Sequence, residues 1–437
     1  MAEESARRNR RRDRGQSRCR INSFDALPDL EWGYRDGPST FPPPVSPRPR
    51  RNPRRGRACE IPVIGGIVMS TSTADVLDGE KALRHRITVL SRSLREVTAV
   101  EHIQKPRYVG YDTVRGADGT TYGRKKAILM SGGCSVPTCT MCPFTNYNNF
   151  GLHGANGEGL REQVATLLRR TDDEPDYNML ALYNDGSFFA RREVPADVQL
   201  DVARRVAATG VRRLVVESLP QFLTAETLAP FVEALGDVQL EVGIGLQSAN
   251  RLVRETLVNT RITRGSFEDA VALMQTHNVI PKVYLMIKPP FLTDGEAITD
   301  VISSTEYVAS LGVDGVTLCP TRLAPNTVAW WLYQRGHYRA PNLWTVVDAI
   351  RGAHTKAAVR VAHINIRGTD FDSVYPDSCE RCANAIVDGL VSYSVSGDLA
   401  DLPSTCDCRP DTGATDLDHD AILARTAAIL DVCEAIA

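Results

Sequence analysis

The sequence predicts an α/β protein whose core is a partial (β/α) barrel of about six parallel strands. Short apolar segments alternate with helical patterns, the strand-then-helix units recur at regular spacing, and several helices have recognisable starts. The predicted strands are Ala127–Met130, Met179–Tyr183, Leu214–Val216, Leu240–Leu246, Val283–Ile287 and Val316–Leu318, with a seventh at Val359–Ile366. In such folds the chemistry gathers at the C-terminal ends of the strands, where we therefore expect the functional residues.

Helices are predicted within the barrel and on both sides of it. Ser266 with Asp269, and Thr293 with Glu296, have the spacing of capping boxes and predict two helix starts within the barrel region, residues 122–370. A helical preface is expected over residues 69–121, and a Cys-rich extension over residues 371–437. The residues that recur at helical spacing in the preface are Leu83, Ile87, Leu90, Leu94 and Val97. The extension is predicted to end in a closing helix from Leu417 to Ile436.

Residues 1–68 differ in composition from the rest of the 437-residue chain. They contain fifteen arginines, no lysine and eight acidic residues, a net charge of +7, whereas the other 369 residues carry −9. Nine prolines and the lack of apolar periodicity predict a disordered leader. This leader is either a basic arm or a segment that is not translated, and we expect translation to start at Met69. Neither alternative places chemistry there.

No window offers the ~18 uninterrupted apolar residues that a membrane span needs. The short apolar stretch from Ile61 to Met69 contains a proline and lies far from the arginine run, which argues against a signal peptide. We therefore expect a cytoplasmic protein without a membrane partner.

Three cysteines, Cys134, Cys139 and Cys142, lie within nine residues directly after the first predicted strand. Thiolates from such a Gly- and Pro-containing loop can converge on one metal centre, and a [4Fe–4S] cluster held by three thiolates leaves one iron open. The alternatives are a zinc knuckle completed by His153 and, less expected, a disulfide. The loop favours iron–sulfur, because zinc sites usually have paired Cys-x-x-Cys hooks.

This loop resembles the cluster loop of radical S-adenosylmethionine (SAM) enzymes, whose usual spacing is Cys-x3-Cys-x2-Cys. The additional residue between Cys134 and Cys139 is similar to a variant in the branch that contains the Elongator catalytic subunit and archaeosine synthase. The resemblance covers about residues 122–410. It implies a [4Fe–4S] cluster that binds SAM at its open iron and cleaves it reductively to a 5′-deoxyadenosyl radical, with a reductant such as flavodoxin or ferredoxin.

The resemblance also assigns the polar residues at later strand ends to SAM. These residues are Asn184, Asp185, Gly186 and Ser187 after the second strand, Glu217 after the third, Gln247 after the fourth and Lys288 after the fifth. Each has a structural alternative: an Asp-Gly turn, a solvated polar group, or a salt-bridged rim lysine. Cys319, in the sixth strand, is a candidate hydrogen-atom donor to a radical intermediate, although a small buried cysteine is the commoner explanation.

A second cysteine group consists of the hooks Cys379-x2-Cys382 and Cys406-x-Cys408. Two paired hooks supply the four ligands of a closed zinc site, and zinc is the metal that we expect here. An auxiliary iron–sulfur cluster is the alternative, and four unligated cysteines are the least expected outcome. The segment between the hooks, with an apolar run around Val391, is predicted to form a small hairpin.

These observations predict a radical SAM enzyme that abstracts hydrogen from a small-molecule substrate, such as one of specialised metabolism. A tRNA substrate is the alternative, since the relatives that the loop resembles modify tRNA. The charge of −9 outside the leader favours the small molecule, because tRNA binding relies on Lys and Arg that neutralise phosphates. A local basic patch could still form from Arg335, Arg339, Arg351 and Lys356. A zinc-dependent nucleic-acid-binding protein, with every patterned cysteine structural, is the third hypothesis.

Overall fold

The computed structural model describes residues 73–96, 105–144, 157–362, 365–366 and 373–435. At its centre is a sheet of eight strands that follow one another in chain order. The strands are β1 (Tyr108–Arg115), β2 (Thr121–Ile128), β3 (Met179–Tyr183), β4 (Arg213–Glu217), β5 (Gln239–Gln247), β6 (Ile280–Ile287), β7 (Gly315–Pro320) and β8 (Ala358–Val361). β1 pairs antiparallel with β2, and every later pair is parallel. The predicted partial barrel is confirmed, with seven parallel strands rather than about six.

Helices connect the parallel strands and flank the sheet at both ends. They are α1 (Thr73–Ser93), α2 (Gly157–Leu168), α3 (Ala196–Ala207), α4 (Ala225–Leu235), α5 (Arg264–Thr276), α6 (Asp294–Ser310), α7 (Val328–Gln334), α8 (Leu343–His354), α9 (Ala383–Ser396) and α10 (His419–Glu434). No helix in the described part of the chain is long and apolar enough to cross a membrane.

The two faces of the sheet differ in chemistry. Alternate strand residues such as Leu180, Val216 and Ile244 are buried in the main apolar core with the helices. Residues of the other face are largely polar, and they meet one another across the sheet. The guanidinium of Arg360 on β8 lies 3.3 Å from the carboxylate of Glu241 on β5, although β6 and β7 lie between these strands. Such a contact requires a curled sheet with a concave polar face.

A second apolar core joins the first and last helices of the described chain. Ile87 of α1 and Leu430 of α10 are fully buried in it, together with Leu252 and Leu332. At the surface, Arg86 of α1 pairs with the carboxylates of α10. Burial of this kind stabilises by about 1.5–3 kcal/mol per large apolar side chain. The preface and the closing helix therefore form one packed unit at one end of the sheet.

The predicted preface is helical only in its first part. α1 matches the predicted apolar periodicity, although Val97 lies outside the described residues. The region from 69 to 121 also contains β1, so the prediction of an all-helical preface is wrong. β2 begins at Thr121, six residues before the predicted start. The prediction missed the first part of this strand because it is rich in charged residues. Those charges are paired: Arg124 with Asp112 of β1, and Lys125 with Glu174. An apolar criterion could not detect such a strand.

One of the two predicted capping boxes is confirmed. Thr293 accepts a hydrogen bond from the backbone N–H of Glu296, whose carboxylate accepts one from Thr293 in return. The other box was predicted about one helical turn too late in the chain. α5 is capped by Thr263 with Ser266, three residues before the predicted pair. Ser266 is therefore the third helical residue of α5, and Asp269 lies inside the helix.

The C-terminal extension contains helices rather than a hairpin. The segment between the cysteine hooks forms α9, because Ile386, Val387, Leu390 and Tyr393 recur at helical spacing and are buried against the main core. Val391, which suggested a strand, is 47% exposed on the other side of α9. The predicted closing helix is confirmed as α10. The extension packs on α8, where Arg351 donates to the carbonyl of Leu402 at 3.0 Å.

Candidate functional site

The loop that carries Cys134, Cys139 and Cys142 is held by hydrogen bonds to a segment beyond β5. Thr138 and Asn259 exchange two bonds of 2.9 Å, from each side chain to the other's backbone carbonyl. The hydroxyl of Thr140 donates to the carbonyl of Leu257 at 2.8 Å, and its backbone N–H donates to that of Val258 at 3.0 Å. The loop therefore has a fixed position at the end of β2 before any metal binds.

The three thiols of this loop are partly buried and close enough to influence one another. Burial is the main cause that raises the pKa of each thiol, to about 12 for Cys139. The neighbouring Cys142 raises the pKa of Cys134 and Cys139 further. Among the described residues, these thiols do not belong to any group of three ligand atoms that all lie within 4.8 Å of one another. At least two of their sulfur atoms therefore lie more than 4.8 Å apart. His153, the zinc alternative's fourth ligand, lies outside the described residues.

Glu193 lies beneath the loop and links it to the end of β3. Its side chain is fully buried, and one carboxylate oxygen accepts hydrogen bonds from the backbone N–H and the hydroxyl of Ser135, at 2.8 and 2.7 Å. The other oxygen accepts the backbone N–H of Ser187. A Cβ at Gly186 would collide with this carboxylate, so that position requires glycine. Burial raises the pKa of Glu193, and these donors oppose the increase.

The segment Asn184–Ser187 lies directly beside the cysteine loop. Ser131 donates to the backbone carbonyl of Asn184 at 3.0 Å and accepts from its side-chain amide at 3.3 Å. The side-chain Oδ1 of Asn184 is buried and has no hydrogen-bond partner in the described chain. A buried acceptor of this kind is costly unless a ligand satisfies it. Asp185 has a left-handed φ of 53° and pairs with Arg107 at 3.2 Å, while burial raises its pKa to about 6.

Glu217 ends β4 and faces the concave side of the sheet. The hydroxyl of Tyr284, on β6, donates to its carboxylate at 2.6 Å across the intervening β5. This reach depends on Gly243 of β5, where a Cβ would lie 2.9 Å from the Tyr284 hydroxyl and 3.0 Å from Glu217 Cγ. Burial raises the pKa of Glu217. Glu217 also joins the preceding segment, because its carbonyl accepts from the backbone N–H of Phe188 at 2.7 Å.

The other predicted residues occupy three different settings. Gln247 has a φ of 69° at a bulge that ends β5, and Ser248 beside it donates to the buried Asp300 at 2.6 Å. The ammonium of Lys288 lies 2.6 Å from the carboxylate of Asp294, which is the salt-bridged alternative for this lysine. Cys319 lies on the concave side near Glu217, and burial raises its pKa to about 12.

Below these residues, a buried ion network crosses the concave face. Glu241 lies 3.3 Å from both Arg213 and Arg360, and 4.0 Å from Lys282. These three cations keep the pKa of Glu241 below its usual value despite its burial. Buried charges that are paired in this way avoid the large cost of isolated ones. The network therefore fills the lower part of the concave face and leaves the strand ends for ligands.

The second cysteine group forms a compact four-sulfur site. The sulfur atoms of Cys379 and Cys382 are 3.5 Å apart, those of Cys379 and Cys406 are 3.7 Å apart, and those of Cys382 and Cys408 are 3.4 Å apart. All four lie within 4.8 Å of one another. Disulfide sulfurs would be only ~2.05 Å apart. The hydroxyl of Ser378 contacts two of these sulfurs and lowers the pKa of Cys408 to about 5.

The structure thus brings most of the predicted residues together at one edge of the sheet. The cysteine loop, Asn184–Ser187 and Glu217 are joined by direct hydrogen bonds, whereas the four-cysteine site lies with α8 and α9 in the extension. Sequence reasoning missed Glu193, Tyr284 and Arg107. Tyr284 could have been found, because it is the polar residue that alternates with apolar ones in β6. Nothing in the sequence distinguished Glu193 from a solvated glutamate.

The chain is similar to several known proteins. Archaeosine synthase subunit beta of Methanosarcina acetivorans is 26% identical over 337 residues, which cover 75% of this chain and 91% of that protein. The uncharacterised protein MJ0550 of Methanocaldococcus jannaschii is 28% identical over 250 residues, 56% of this chain and 67% of that protein. Methylornithine synthase (PylB) has a solved structure that covers 82% of this chain and 89% of its own, with 13% identity and a TM-score of 0.43. No protein-family model matches the chain.

Proposed function

We propose that this chain, a radical SAM enzyme by its cysteine loop, its parallel half-barrel and its sequence relatives, cleaves SAM at a [4Fe–4S] cluster and abstracts hydrogen from a small molecule. The observation that supports this most is that the cysteine loop is hydrogen-bonded through Ser131 to Asn184, whose side-chain oxygen is buried and has no partner in the described chain. In parallel α/β sheets, ligands bind at this edge.

The residues at this edge fit the cluster and SAM. Three thiols supply the soft ligands that iron–sulfur clusters require, and a separation above 4.8 Å between at least two of them suits ligands that bind different irons. The free Oδ1 of Asn184 is a suitable acceptor for the SAM amino group. When bound, the cluster and SAM supply one-electron cleavage of a carbon–sulfur bond and thereby a 5′-deoxyadenosyl radical. The electron would come from a low-potential protein such as flavodoxin or ferredoxin.

The chain's own residues would then orient SAM and the substrate. We assign Asn184, Asp185, Gly186 and Ser187 to the methionine end of SAM. We assign Glu217 and Gln247 to the polar groups of SAM. Lys288 would serve a substrate or SAM carboxylate only by leaving Asp294. Cys319 would donate the hydrogen atom of its S–H bond to a substrate radical, and the external reductant with a proton would return the resulting thiyl radical to the thiol. Its raised pKa suits this role, because at neutral pH the sulfur keeps its hydrogen.

Charge supports a small-molecule substrate. The chain outside residues 1–68 carries −9, and Arg213, Lys282 and Arg360 of the concave face are directed at Glu241 rather than at a phosphate. Of the predicted basic patch, Lys356 pairs with Glu306 at 2.9 Å. A tRNA substrate is the second candidate, and the relatives named archaeosine synthase subunit beta favour it.

Anaerobic reconstitution with iron and sulfide tests the proposed function directly. We expect about four irons in the cysteine loop, a broad absorption band in the visible region, and 5′-deoxyadenosine formation from SAM once dithionite is added. Zinc in both cysteine groups, with no SAM cleavage, would contradict the proposal. That result would support the zinc-dependent nucleic-acid-binding protein instead.

Titration with total tRNA separates the two substrate classes. At ~0.1 M salt we expect no binding at micromolar concentrations, because phosphate contacts need a basic face. The measurement is a gel shift with the reconstituted full chain, repeated at two salt concentrations. Micromolar or tighter binding that weakens steeply with salt would overturn the small-molecule proposal and favour the tRNA-modifying function.

The four-cysteine site is proposed to bind one zinc. Four thiolates ~2.3 Å from one zinc in a tetrahedron lie about 3.8 Å apart. The measured separations of 3.4 to 3.7 Å are close to this value. Ligands of an auxiliary cluster would bind separate irons and would therefore lie farther apart. The spacing favours a single ion.

A further inference from the structure

We propose that two charged side chains, Glu193 beside Ser135 and Arg95 beside Cys139, set the reduction potential of the cluster. This inference rests on the proposed function, because it requires that Cys134, Cys139 and Cys142 hold a [4Fe–4S] cluster. Both residues lie in direct contact with the loop, and neither is among its cysteine ligands. They act on the cluster through their charge rather than as ligands.

Glu193 supplies the negative charge on the Cys134 side. Its carboxylate is fully buried and accepts hydrogen bonds from Ser135, the residue after Cys134, and from the backbone N–H of Ser187. These are neutral donors, and no described cation pairs with the carboxylate. A charge on this carboxylate therefore lies next to Cys134 without a described cation to offset it.

Arg95 supplies the positive charge beside Cys139. It follows α1, and one guanidinium N–H group donates to the backbone carbonyl of Cys139 at 3.1 Å and to Ser91 at 3.4 Å. Its Nε and Nη1 are buried and have no acceptor in the described chain. The N–H groups of these two nitrogens lie on a side chain bonded to the cysteine loop and are suitable donors to cluster sulfur.

The two charges should act on the potential in opposite directions. Reduction adds one electron from the external donor to a cluster that already carries three thiolates. A buried anion opposes this electron, and a buried cation or an N–H donor to sulfur favours it. Asp185 and Arg107 form a further charged pair beside the loop, at 3.2 Å. They remain in place when Glu193 or Arg95 is changed, so the shift measures each residue alone.

Glu193→Gln and Arg95→Gln provide the test, with potentiometric titration of the reduced cluster's EPR signal as the measurement. At a fixed solution potential we expect Glu193→Gln to increase the ratio of reduced to oxidised cluster about tenfold, and Arg95→Gln to decrease it about tenfold. These changes correspond to shifts of the reduction potential by ~59 mV in opposite directions. Arg95→Lys keeps the charge and should stay closer to the wild type than Arg95→Gln. Glu233→Gln, on the exposed side of α4, is the control for loss of a surface charge.

Iron and sulfide are counted first, so that failure of the proposed function is distinct from failure of this inference. A wild-type chain without four irons contradicts the proposed function. A wild-type chain with four irons whose potential is unchanged in both variants, or shifts in the same direction in both, overturns the inference. If Glu193→Gln assembles poorly, Arg95→Gln alone decides, because among the described residues the one hydrogen bond from Arg95 to the loop goes to the backbone carbonyl of Cys139. A lower potential then supports the inference, and an unchanged or higher one overturns it.

Discussion

Substitution of Cys382 by serine is expected to remove the zinc from the C-terminal extension and to lower the melting temperature by about 10 °C or more. Cys382 is the most buried of the four cysteines, and its sulfur lies 3.5 Å from that of Cys379 and 3.4 Å from that of Cys408. A serine hydroxyl binds zinc far more weakly than a thiolate does. The other three thiolates would then repel one another without the ion.

The effect on stability should be large because the site links α9 to the loop that carries Cys406 and Cys408. α9 is packed in the main core by Ile386, Leu390 and Tyr393, but Cys406 and Cys408 lie beyond it on a loop. That loop is attached to α8 by the pair of Arg409 with Asp348 at 2.6 Å. Structural zinc contributes binding free energy directly to folding. Its loss should free the loop and weaken the packing of α9 on α8.

Cys433→Ser is the matched control, because it makes the same chemical change at a fully buried cysteine in α10 that has no sulfur neighbour in the four-cysteine group. It should cost only about 1–3 kcal/mol, for a buried hydroxyl, and leave the zinc content at one per chain. Metal analysis distinguishes the alternatives. Extra iron that is lost with Cys382→Ser would mean an auxiliary cluster, and an unchanged melting temperature would contradict a structural role.

Sequence patterns correctly predicted the strands that contain runs of apolar residues. They failed for the strands that are rich in charged residues. β3 to β7 alternate between a helix-facing apolar residue and a concave-facing one, so their apolar runs are easy to detect. β1 and β2 are different. Their charges are paired across the hairpin and with Glu174, which is information about distant partners. α9 was mistaken for a hairpin because a short apolar run fits both periods.

The parts of the candidate site whose chemistry follows from residue type could be predicted from the sequence. The parts that depend on contacts between residues distant in the chain could not. Cysteine spacing identified both cysteine groups, because few other residue patterns bring so many thiols together. The partner of Lys288 could not be predicted, since Asp294 is one of many acidic residues and only the fold brings it within 2.6 Å. The same holds for Glu193. A buried carboxylate bonded to two loops looks, in sequence, like any surface glutamate.

Substitution of Cys139 by serine is expected to abolish SAM cleavage, with 5′-deoxyadenosine falling below about 1% of the wild-type amount. Cys139 is one of three ligands that we assign to the cluster, and its loop is fixed by Thr138 and Thr140 on either side. The backbone cannot shift to offer a replacement, and a hydroxyl is a poor ligand for an iron–sulfur cluster. Iron content after anaerobic reconstitution should fall well below four per chain.

The zinc of the extension and the fold should persist in this variant, which separates the two cysteine groups. The loop keeps its bonds to Leu257 and Asn259, so the melting temperature without metal in the loop should match that of the wild type without cluster. Cys433→Ser again serves as the control and should retain both four irons and SAM cleavage. A Cys139→Ser chain that still holds four irons and produces 5′-deoxyadenosine would place the cluster elsewhere. The assignment of Cys134, Cys139 and Cys142 would then be wrong, because the proposed cluster is held by these three thiolates.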